Sequence, residues 1–407
     1  MTHDVVIIGG GLAGCEAAAT LLGNGIRNMV LIEQHPSIIK DQSWKTFGAT
    51  VCAFQLETCV ARALDGVTFR TSDVDAGTVL SQSSKPIPCF VLDSLRVYEA
   101  YQRRLRSILR TSETVISIEP RGRTYRVVTD KRAYSTRLIV DASGYDSVTD
   151  RLLFRTSPGP RAYYTCYGRR YSGCRGDLLR GAYFDFDSPF KLAGSWAYPV
   201  DAETVEIGVA RFSNSRELED PHAADELERL LGKYKRLPTY NQVFSDSNPA
   251  NSSLPIKGHI PLLPRLRIRR DGVYYVGDTK GAVPWTGYGV ENALQSGRAA
   301  AEAIAHGTKY DYFVAPPAKG MAVLAHLWRC GTEQYRKNPL GLAMLENDEA
   351  ERFFRGNIDL RFLLRVAWIT RKLGVDMLEY VPPSLMLAAL LNLPPGRRHY
   401  DIFRTTG

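Results

Sequence analysis

The feature that most constrains this chain is its N-terminal stretch, which reads as a strand, a glycine-rich turn, a helix and a second strand. The segment 4–8 begins with Asp4 and continues with four apolar, β-branched residues, as a buried parallel strand does. The turn has the spacing Gly9-x-Gly11-x-x-Gly14, and the second strand ends in Glu33. A lone glycine motif is weak evidence, but here every part of a dinucleotide-binding βαβ unit is in place.

Each glycine of this first turn has a mechanical reason. Gly9 allows the tight turn, Gly11 lets the backbone approach a pyrophosphate, and Gly14 lets helix and strand pack closely. The helix N-terminus, at Leu12 and Ala13, offers free N–H groups and a positive dipole to the phosphates.

The acid at the end of the second strand restricts the nucleotide. Glu33, followed by Gln34, lies where ribose hydroxyls are expected, and a carboxylate there favours an unphosphorylated ribose. NAD and FAD both have such a ribose, so the first turn does not choose between them.

A second glycine-rich turn follows another apolar strand far along the chain. A nicotinamide dinucleotide must leave and needs one such turn, whereas FAD stays bound and can use a second for its ribityl chain and ring. Asp278 is placed to bind a ribityl hydroxyl, and the helix after the turn would stabilise negative charge on a reduced flavin. The residues that we expect at the cofactor here are Gly277, Asp278, Pro284, Gly287, Tyr288, Gly289 and Val290.

These two turns, together with the segment RLIVDASG at 137–144, resemble the FAD proteins of the p-hydroxybenzoate hydroxylase fold. That group includes aromatic monooxygenases, flavin halogenases, lycopene cyclases and geranylgeranyl reductases. The resemblance implies non-covalent FAD. Monooxygenases usually carry Asp-Gly where this chain has Ser143–Gly144, which weakens the hydroxylase interpretation. Family members often have a cofactor-binding Arg where this chain has Ser94, and we expect Arg96 to substitute.

The pattern and the resemblance predict an α/β protein with a Rossmann-like FAD-binding domain, a mixed antiparallel β-sheet substrate domain and a C-terminal helical region. The predicted boundaries are 1–80, 95–150 and 255–310 for the FAD-binding domain, 81–94 and 151–254 for the substrate domain, and 311–407 for the helical region.

The substrate half is rich in aromatic residues and alternates as an antiparallel sheet does. Its segment GSWAYP resembles the aromatic-x-Trp-x-aromatic-Pro element of geranylgeranyl reductases, without the leading aromatic. Trp196 and Tyr198 should point to the same face of a strand and wall an apolar cavity. Lycopene cyclases resemble this region too, but they carry paired acids on the following strand, where this chain has Gly208 and, two residues earlier, Glu206.

The candidate catalytic residues are Trp196, Tyr198, Glu206 and Lys45. Lys45 is either catalytic or a surface or FAD-phosphate contact; flavin halogenases use a positioned Lys, but they also carry a Trp-x-Trp-x-Ile-Pro element that this chain lacks.

The first functional interpretation is an FAD-dependent oxidoreductase that reduces or dehydrogenates a C=C bond in a hydrophobic isoprenoid or natural product. The alternative is a flavin-dependent monooxygenase of an aromatic or polycyclic natural product. A cyclase, a halogenase and a non-enzymatic FAD-binding module stay open. Because the sequence has one dinucleotide fingerprint, we expect NADH or NADPH to bind transiently, or a separate reductase to supply electrons.

The charge and the cysteine content restrict which partners and which cellular compartment we expect. The net charge is +9, but the basic residues are mostly scattered, so we expect no nucleic acid partner. The seven cysteines include no CxxC pair, which predicts a reducing, cytoplasmic setting and no structural zinc. A basic amphipathic segment at 359–372 is compatible with peripheral membrane contact. The oligomeric state does not follow from the sequence.

Overall fold

The structure is a computed structural model, and its chain divides into two compact units. Unit 1 comprises Met1–Trp44, Asp93–Arg161 and Pro261–Ala315, and unit 2 comprises Lys45–Leu92, Ala162–Ile260 and Pro316–Gly407. The structure describes residues 2–156, 163–187, 193–213, 221–238, 240, 256–262, 265, 267–281, 289–310, 344–355, 360–372, 383–384 and 387.

Unit 1 is built on an eight-stranded sheet with the main order β17-β18-β11-β1-β2-β8, and β10 and β9 extend it from β11. Its strands are β1 (Thr2–Ile8), β2 (Met29–Ile32), β8 (Leu109–Arg110), β9 (Val115–Arg121), β10 (Thr124–Thr129), β11 (Ala133–Asp141), β17 (Arg269–Arg270) and β18 (Val273–Tyr275). Its helices are α1 (Leu12–Gly23), α3 (Ser94–Leu105) and α5 (Gly289–His306).

The central strands of this sheet are parallel and buried on both faces. β1 pairs in parallel with β2 and with β11, and β11 pairs in parallel with β18. Val5, Val6 and Ile7 are fully buried, which explains the continuous apolar run in the sequence. Parallel pairing brings the carboxyl ends of these strands to one edge, so the turns after β1 and β18 and the acid Glu33 after β2 lie at the same edge of the sheet.

Glycines allow the helices to approach the sheet and each other. A Cβ on Gly14 would overlap the carbonyl oxygen of Gly9, and a Cβ on Gly297 in α5 would overlap the carbonyl of Ala13 in α1. The sequence therefore places glycine where α1 meets the first turn and where α5 meets α1.

Unit 2 contains a seven-stranded sheet of order β16-β12-β15-β14-β13-β5-β6 and a three-stranded sheet of order β3-β7-β4. The strands are β3 (Ser43–Phe47), β4 (Val60–Leu64), β5 (Val67–Asp73), β6 (Thr78–Lys85), β7 (Cys89–Asp93), β12 (Tyr163–Tyr171), β13 (Ala182–Asp187), β14 (Ala193–Pro199), β15 (Val205–Ser213) and β16 (Ile256–Pro261). The helices are α2 (Gly48–Ala53), α4 (Pro221–Tyr234), α6 (Asn347–Arg355) and α7 (Leu360–Lys372).

The large sheet of unit 2 has two different faces because side chains alternate along each strand. On one face, which we call the back face, Tyr167, Ala197 and Ile207 pack with α4 residues such as Leu227 into a buried core. The opposite face, which we call the front face, carries Trp196, among others, and lies away from α4.

A buried ion pair lies on the back face. Arg70 and Asp185 are both fully buried, and an Arg70 guanidinium nitrogen lies 2.7 Å from the Asp185 carboxylate. That carboxylate also accepts hydrogen bonds from Ser72 and, at 2.5 Å, from the Tyr240 hydroxyl. The network ties strands β5 and β13 to the chain that follows α4.

The structure corrects one of the predicted boundaries. Residues 45–80 belong to unit 2 and not to the FAD-binding domain, because β5 pairs with β13 and with β6 in the large sheet. The described C-terminal residues, from 344 onward, are assigned to unit 2, and the predicted helical region as a whole stays a prediction. Helix α7 agrees with the amphipathic segment expected from the sequence.

Substitution of Asp185 tests the buried network. Asp185→Ala leaves the Arg70 charge buried without its partner, which should lower the free energy of unfolding by about 3–5 kcal/mol. The control is Asp65→Ala, which breaks a mainly exposed ion pair with Arg180 and should change stability by about 0–1 kcal/mol. Urea unfolding of both variants is the measurement, and equal losses would contradict the assignment.

Candidate functional site

The first turn is held by the acid that ends β2. Glu33 is 4% exposed, and its carboxylate accepts hydrogen bonds from the backbone N–H of Gly10, at 2.7 Å, and of His35, at 2.9 Å. The carboxylate therefore closes the turn itself and keeps unused lone pairs for a ligand hydroxyl. Its predicted contact with a ribose stays a prediction, as does that of Gln34, which is exposed.

Gly11 has open space beside it. No heavy atom lies within 4 Å of the position that a Cβ on Gly11 would take. Its φ of −70° and ψ of 176° are open to any residue, so backbone strain does not require a glycine there. No side chain caps the N-terminus of α1, at Leu12 and Ala13. The arrangement fits a ligand phosphate that approaches the backbone closely.

Gly277, which begins the second turn, lies against Ala13 at the start of α1. Gly277 has a φ of +58°, and a Cβ on it would lie 2.9 Å from the Cβ of Ala13. Its backbone N–H donates to the Ser296 hydroxyl at 2.8 Å. Asn292 donates to the carbonyls of Gly277 and Gly281, and its own side-chain oxygen is buried without a hydrogen-bond partner. An orphaned acceptor beside a glycine turn fits a ligand that donates a hydrogen bond.

Asp278 follows directly in this turn. Burial raises the pKa of its carboxyl to about 6, although the charge of Lys40 acts in the opposite direction. Within the described ranges its carboxylate forms neither a hydrogen bond nor an ion pair. A half-buried acid of this kind, next to the open first turn, is suited to accept hydroxyl groups of a bound ligand.

The other predicted cofactor residues have varied placements. Arg96 is 62% exposed and pairs with Asp93 at 3.1 Å, while Ser94 is buried and bonds to the backbone of Lys40 and Gln42. Gly289 and Val290 begin α5. Pro284, Gly287 and Tyr288 lie outside the described residues.

The four predicted catalytic residues come together in unit 2, on or against the front face. We call Lys45, Trp196, Tyr198 and Glu206 the front-face cluster. Trp196 Nε1 and the Tyr198 hydroxyl both donate to Glu206 Oε1, at 3.2 Å and 2.8 Å. The predicted common orientation of Trp196 and Tyr198 therefore holds. Arg170 lies 3.5 Å from the other carboxylate oxygen, and Glu206 is 4% exposed.

Lys45 lies among aromatic rings. Its ammonium is 4.5 Å from the centroid of Phe184 and 4.7 Å from that of Tyr198. Burial lowers the pKa of Lys45 to about 8, while the charge of Glu206 opposes this shift. A lysine with such a pKa can hold or release a proton near neutral pH.

Two glycines make room for the Trp196 indole. Trp196 on β14 lies opposite Gly208 on β15, which lies opposite Gly168 on β12. A Cβ on Gly208 would overlap the indole, and a Cβ on Gly168 would lie 3.3 Å from its Cζ2 atom. With the ring in this position, a longer side chain at 208 does not fit.

Sequence reasoning missed Asp141 as an organising residue. It is fully buried at the end of β11 and accepts hydrogen bonds from Ser143, Ser147 and Thr149. The loop bound in this way passes Gly9, where a Cβ would overlap the carbonyl of Ala142. The signal was the run of hydroxyl residues after Asp141 in the sequence.

Neither a membrane span nor a metal cluster is found in the described part of the chain. Its helices are too short or too polar to cross a bilayer. Its His, Cys, Asp and Glu side chains do not group in threes as metal ligands would.

Solved structures share this fold at low sequence identity. A flavin-dependent brominase, Bmp2, is 18% identical with a TM-score of 0.66 over 92% of this chain and 98% of that chain. A geranylgeranyl bacteriochlorophyll reductase-like protein from Thermoplasma acidophilum is 15% identical, with a TM-score of 0.63 and the same coverage. The probable FAD-dependent monooxygenase pqsL from Pseudomonas aeruginosa is 15% identical, with a TM-score of 0.56 over 100% of both chains.

Sequence comparison gives the family. No curated protein sequence matches the chain at a significant level. The family model described as lycopene cyclase protein matches residues 4–363, which span both glycine-rich turns and the front face. The predicted resemblance to this group of FAD-binding folds is thereby confirmed. With most of its 407 residues matched, the chain belongs to the lycopene cyclase protein family.

Proposed function

We propose that this chain is an FAD-dependent oxidoreductase that reduces or dehydrogenates a C=C bond in a hydrophobic isoprenoid or natural product. The observation that carries the proposal is the front-face cluster, in which one carboxylate is fully engaged by its neighbours while a lysine of lowered pKa lies among aromatic rings. The fold shared with a brominase, a reductase-like protein and a monooxygenase supports flavin chemistry as the general class.

The residues around the two turns fit FAD. The open side of Gly11 and the uncapped N-terminus of α1 would take the pyrophosphate, and Glu33 would take ribose hydroxyls. Asp278 would accept a ribityl hydroxyl, and the buried Asn292 oxygen would accept a hydrogen bond from the ligand. When bound, FAD supplies hydride transfer to or from the substrate.

The front face supplies an apolar wall for the substrate. Trp196 and Tyr198 stand side by side on β14, and Phe184 on β13 stacks on Phe69 with ring centroids 5.3 Å apart. Rings on one face of a sheet suit a flat or extended apolar ligand. Their hydrogen bonds to Glu206 restrain Trp196 and Tyr198, so the wall is held in shape before the ligand arrives.

The chain also supplies a proton, which reduction of a C=C bond requires besides hydride. Glu206 accepts hydrogen bonds from Trp196 and Tyr198 and faces Arg170, so it acts as an orienting group for the two aromatic side chains. Lys45 is the better proton source, because with a pKa of about 8 it is mostly protonated at neutral pH.

The same geometry favours redox chemistry over acid-catalysed cyclisation in our proposal. Lycopene cyclases carry paired acids where this chain has Gly208, and the Trp196 indole occupies the space that an acid at 208 would need. Among the described residues, Glu206 is the acid near this position, and it is engaged by Trp196, Tyr198 and Arg170. We therefore favour redox chemistry over cyclisation. A transient NADH or NADPH, or a separate reductase, would supply the electrons.

The reaction is tested by reducing the flavin without oxygen and adding isoprenoid or aromatic substrates. We expect an isoprenoid to reoxidise the flavin anaerobically. Lys45→Gln should slow this step about a hundredfold or more. The wild-type rate should fall as the pH rises through 8, whereas the rate of the variant should not show this decrease. If product forms only when oxygen is present, and an oxygen atom from O₂ is found in the product, the monooxygenase alternative would instead be established.

FAD binding is tested by a matched pair of glycine variants. Gly11→Val should leave folding intact, because nothing occupies the space beside Gly11, but it should abolish FAD retention. Gly14→Ala should impair folding itself, because its Cβ would overlap the Gly9 carbonyl. Thermal melting and the flavin content of purified protein distinguish the two, and a fully yellow Gly11→Val protein would contradict the assigned site.

FAD affinity should also depend on pH through Asp278. Ligand hydroxyls that donate to this carboxyl favour its ionised form, so affinity should rise as the pH passes upward through 6. Asp278→Asn does not titrate and should bind FAD more weakly, with a flatter profile. Fluorescence titration of apoprotein with FAD below and above pH 6 is the measurement, and parallel profiles would remove Asp278 from the site.

A further inference from the structure

Helix α7 presents one stripe of cationic and apolar side chains to solvent. Leu364 is 61% exposed and Trp368 is 44% exposed, whereas Phe362 and Ile369 on the other side are each 3% exposed. Positions three, four and seven apart share one face of a helix. The members of the stripe, which we call the α7 stripe, are Arg361, Leu364, Arg365, Trp368, Arg371 and Lys372.

The charge of this stripe is almost entirely positive. Helix α7 contains no acid, and among the residues that the structure describes Glu349 pairs with Arg365 alone, at 3.6 Å. Within the described ranges, Arg361, Arg371 and Lys372 form no ion pair with an acid. Three cations therefore face solvent without an anionic partner in that part of the chain, next to two large exposed apolar side chains.

Two cations of the α7 stripe, Arg365 and Lys372, contact the Trp368 indole. The Arg365 guanidinium lies 4.6 Å from the indole centroid and the Lys372 ammonium lies 4.0 Å from it. Cation–π contacts of this kind restrain the ring at the surface and keep the charges beside it. Tryptophan next to basic residues is the combination favoured at the boundary between lipid headgroups and acyl chains.

We propose that the α7 stripe is a docking surface for an anionic lipid membrane, with the helix lying in the plane of the interface. The charge complements acidic headgroups, and Leu364 and Trp368 have an apolar layer to enter. Nucleic acid also complements the charge, but it would leave Leu364 in water. This inference stands independently of the proposed reaction.

Vesicle binding by the full chain tests this surface. We expect it to sediment with phosphatidylcholine vesicles that contain phosphatidylglycerol, not with phosphatidylcholine alone, and to be released by salt. The double variant Arg361→Gln with Lys372→Gln should lose about 25-fold in affinity, since each basic residue contributes about fivefold. Trp368→Ala should weaken binding at unchanged charge.

The control removes the same charge elsewhere. Arg103→Gln with Arg106→Gln alters two exposed cations in and just after α3 and should leave vesicle binding unchanged. Equal losses in both double variants would overturn the proposal, because binding would then follow net charge alone. The proposal would also be overturned if the chain did not bind these vesicles. It would be overturned as well if duplex DNA bound through the same residues and displaced the vesicles. Circular dichroism confirms that each variant is folded.

Discussion

Unit 1 depends on backbone segments that approach each other more closely than side chains allow. Three such contacts involve the first turn of α1, at Ala13 and Gly14. Gly14 lies against the carbonyl of Gly9, and both Gly277 and Gly297 lie against Ala13. These contacts press α1 onto the edge of the parallel sheet and bring the second turn beside the first. Two turns that are far apart in sequence thus become one surface lined by backbone N–H groups and by Asp278.

The sequence predicted unit 1 well because its signals are local. A buried strand, a spaced glycine turn and a terminal acid each follow from neighbouring residues, so β1, α1 and β2 lie where expected. The alternation in the substrate half predicted β13, β14 and β15 for the same reason, and with them the shared face of Trp196 and Tyr198. The position of residues 45–80 could not be predicted in this way, because it depends on pairing between β5 and β13, more than a hundred residues apart.

Other features escaped the sequence because they depend on three-dimensional contacts between small or polar residues. Asp141 was recognised only as part of a motif, yet it is the buried acceptor that organises the loop after β11. From the sequence, Gly208 shows only that the acid found there in lycopene cyclases is missing. Only the structure relates that absence to Trp196, whose ring lies across both Gly208 and Gly168. A one-dimensional pattern shows which residue is missing but not what occupies its space.

The replacement of an acid by a ring changes what the front face can do. An acid at 208 and the indole of Trp196 exclude each other, so a chain with this arrangement keeps a single carboxylate, Glu206, on the strand. That carboxylate accepts hydrogen bonds from both aromatic side chains and faces Arg170, so it holds the aromatic wall in place. In the proposed reaction the transferable proton therefore lies with Lys45, whose ammonium is near Tyr198. A glycine and a tryptophan on neighbouring strands thus leave room for one carboxylate on β15, and our proposal that Lys45 supplies the proton rests on this arrangement.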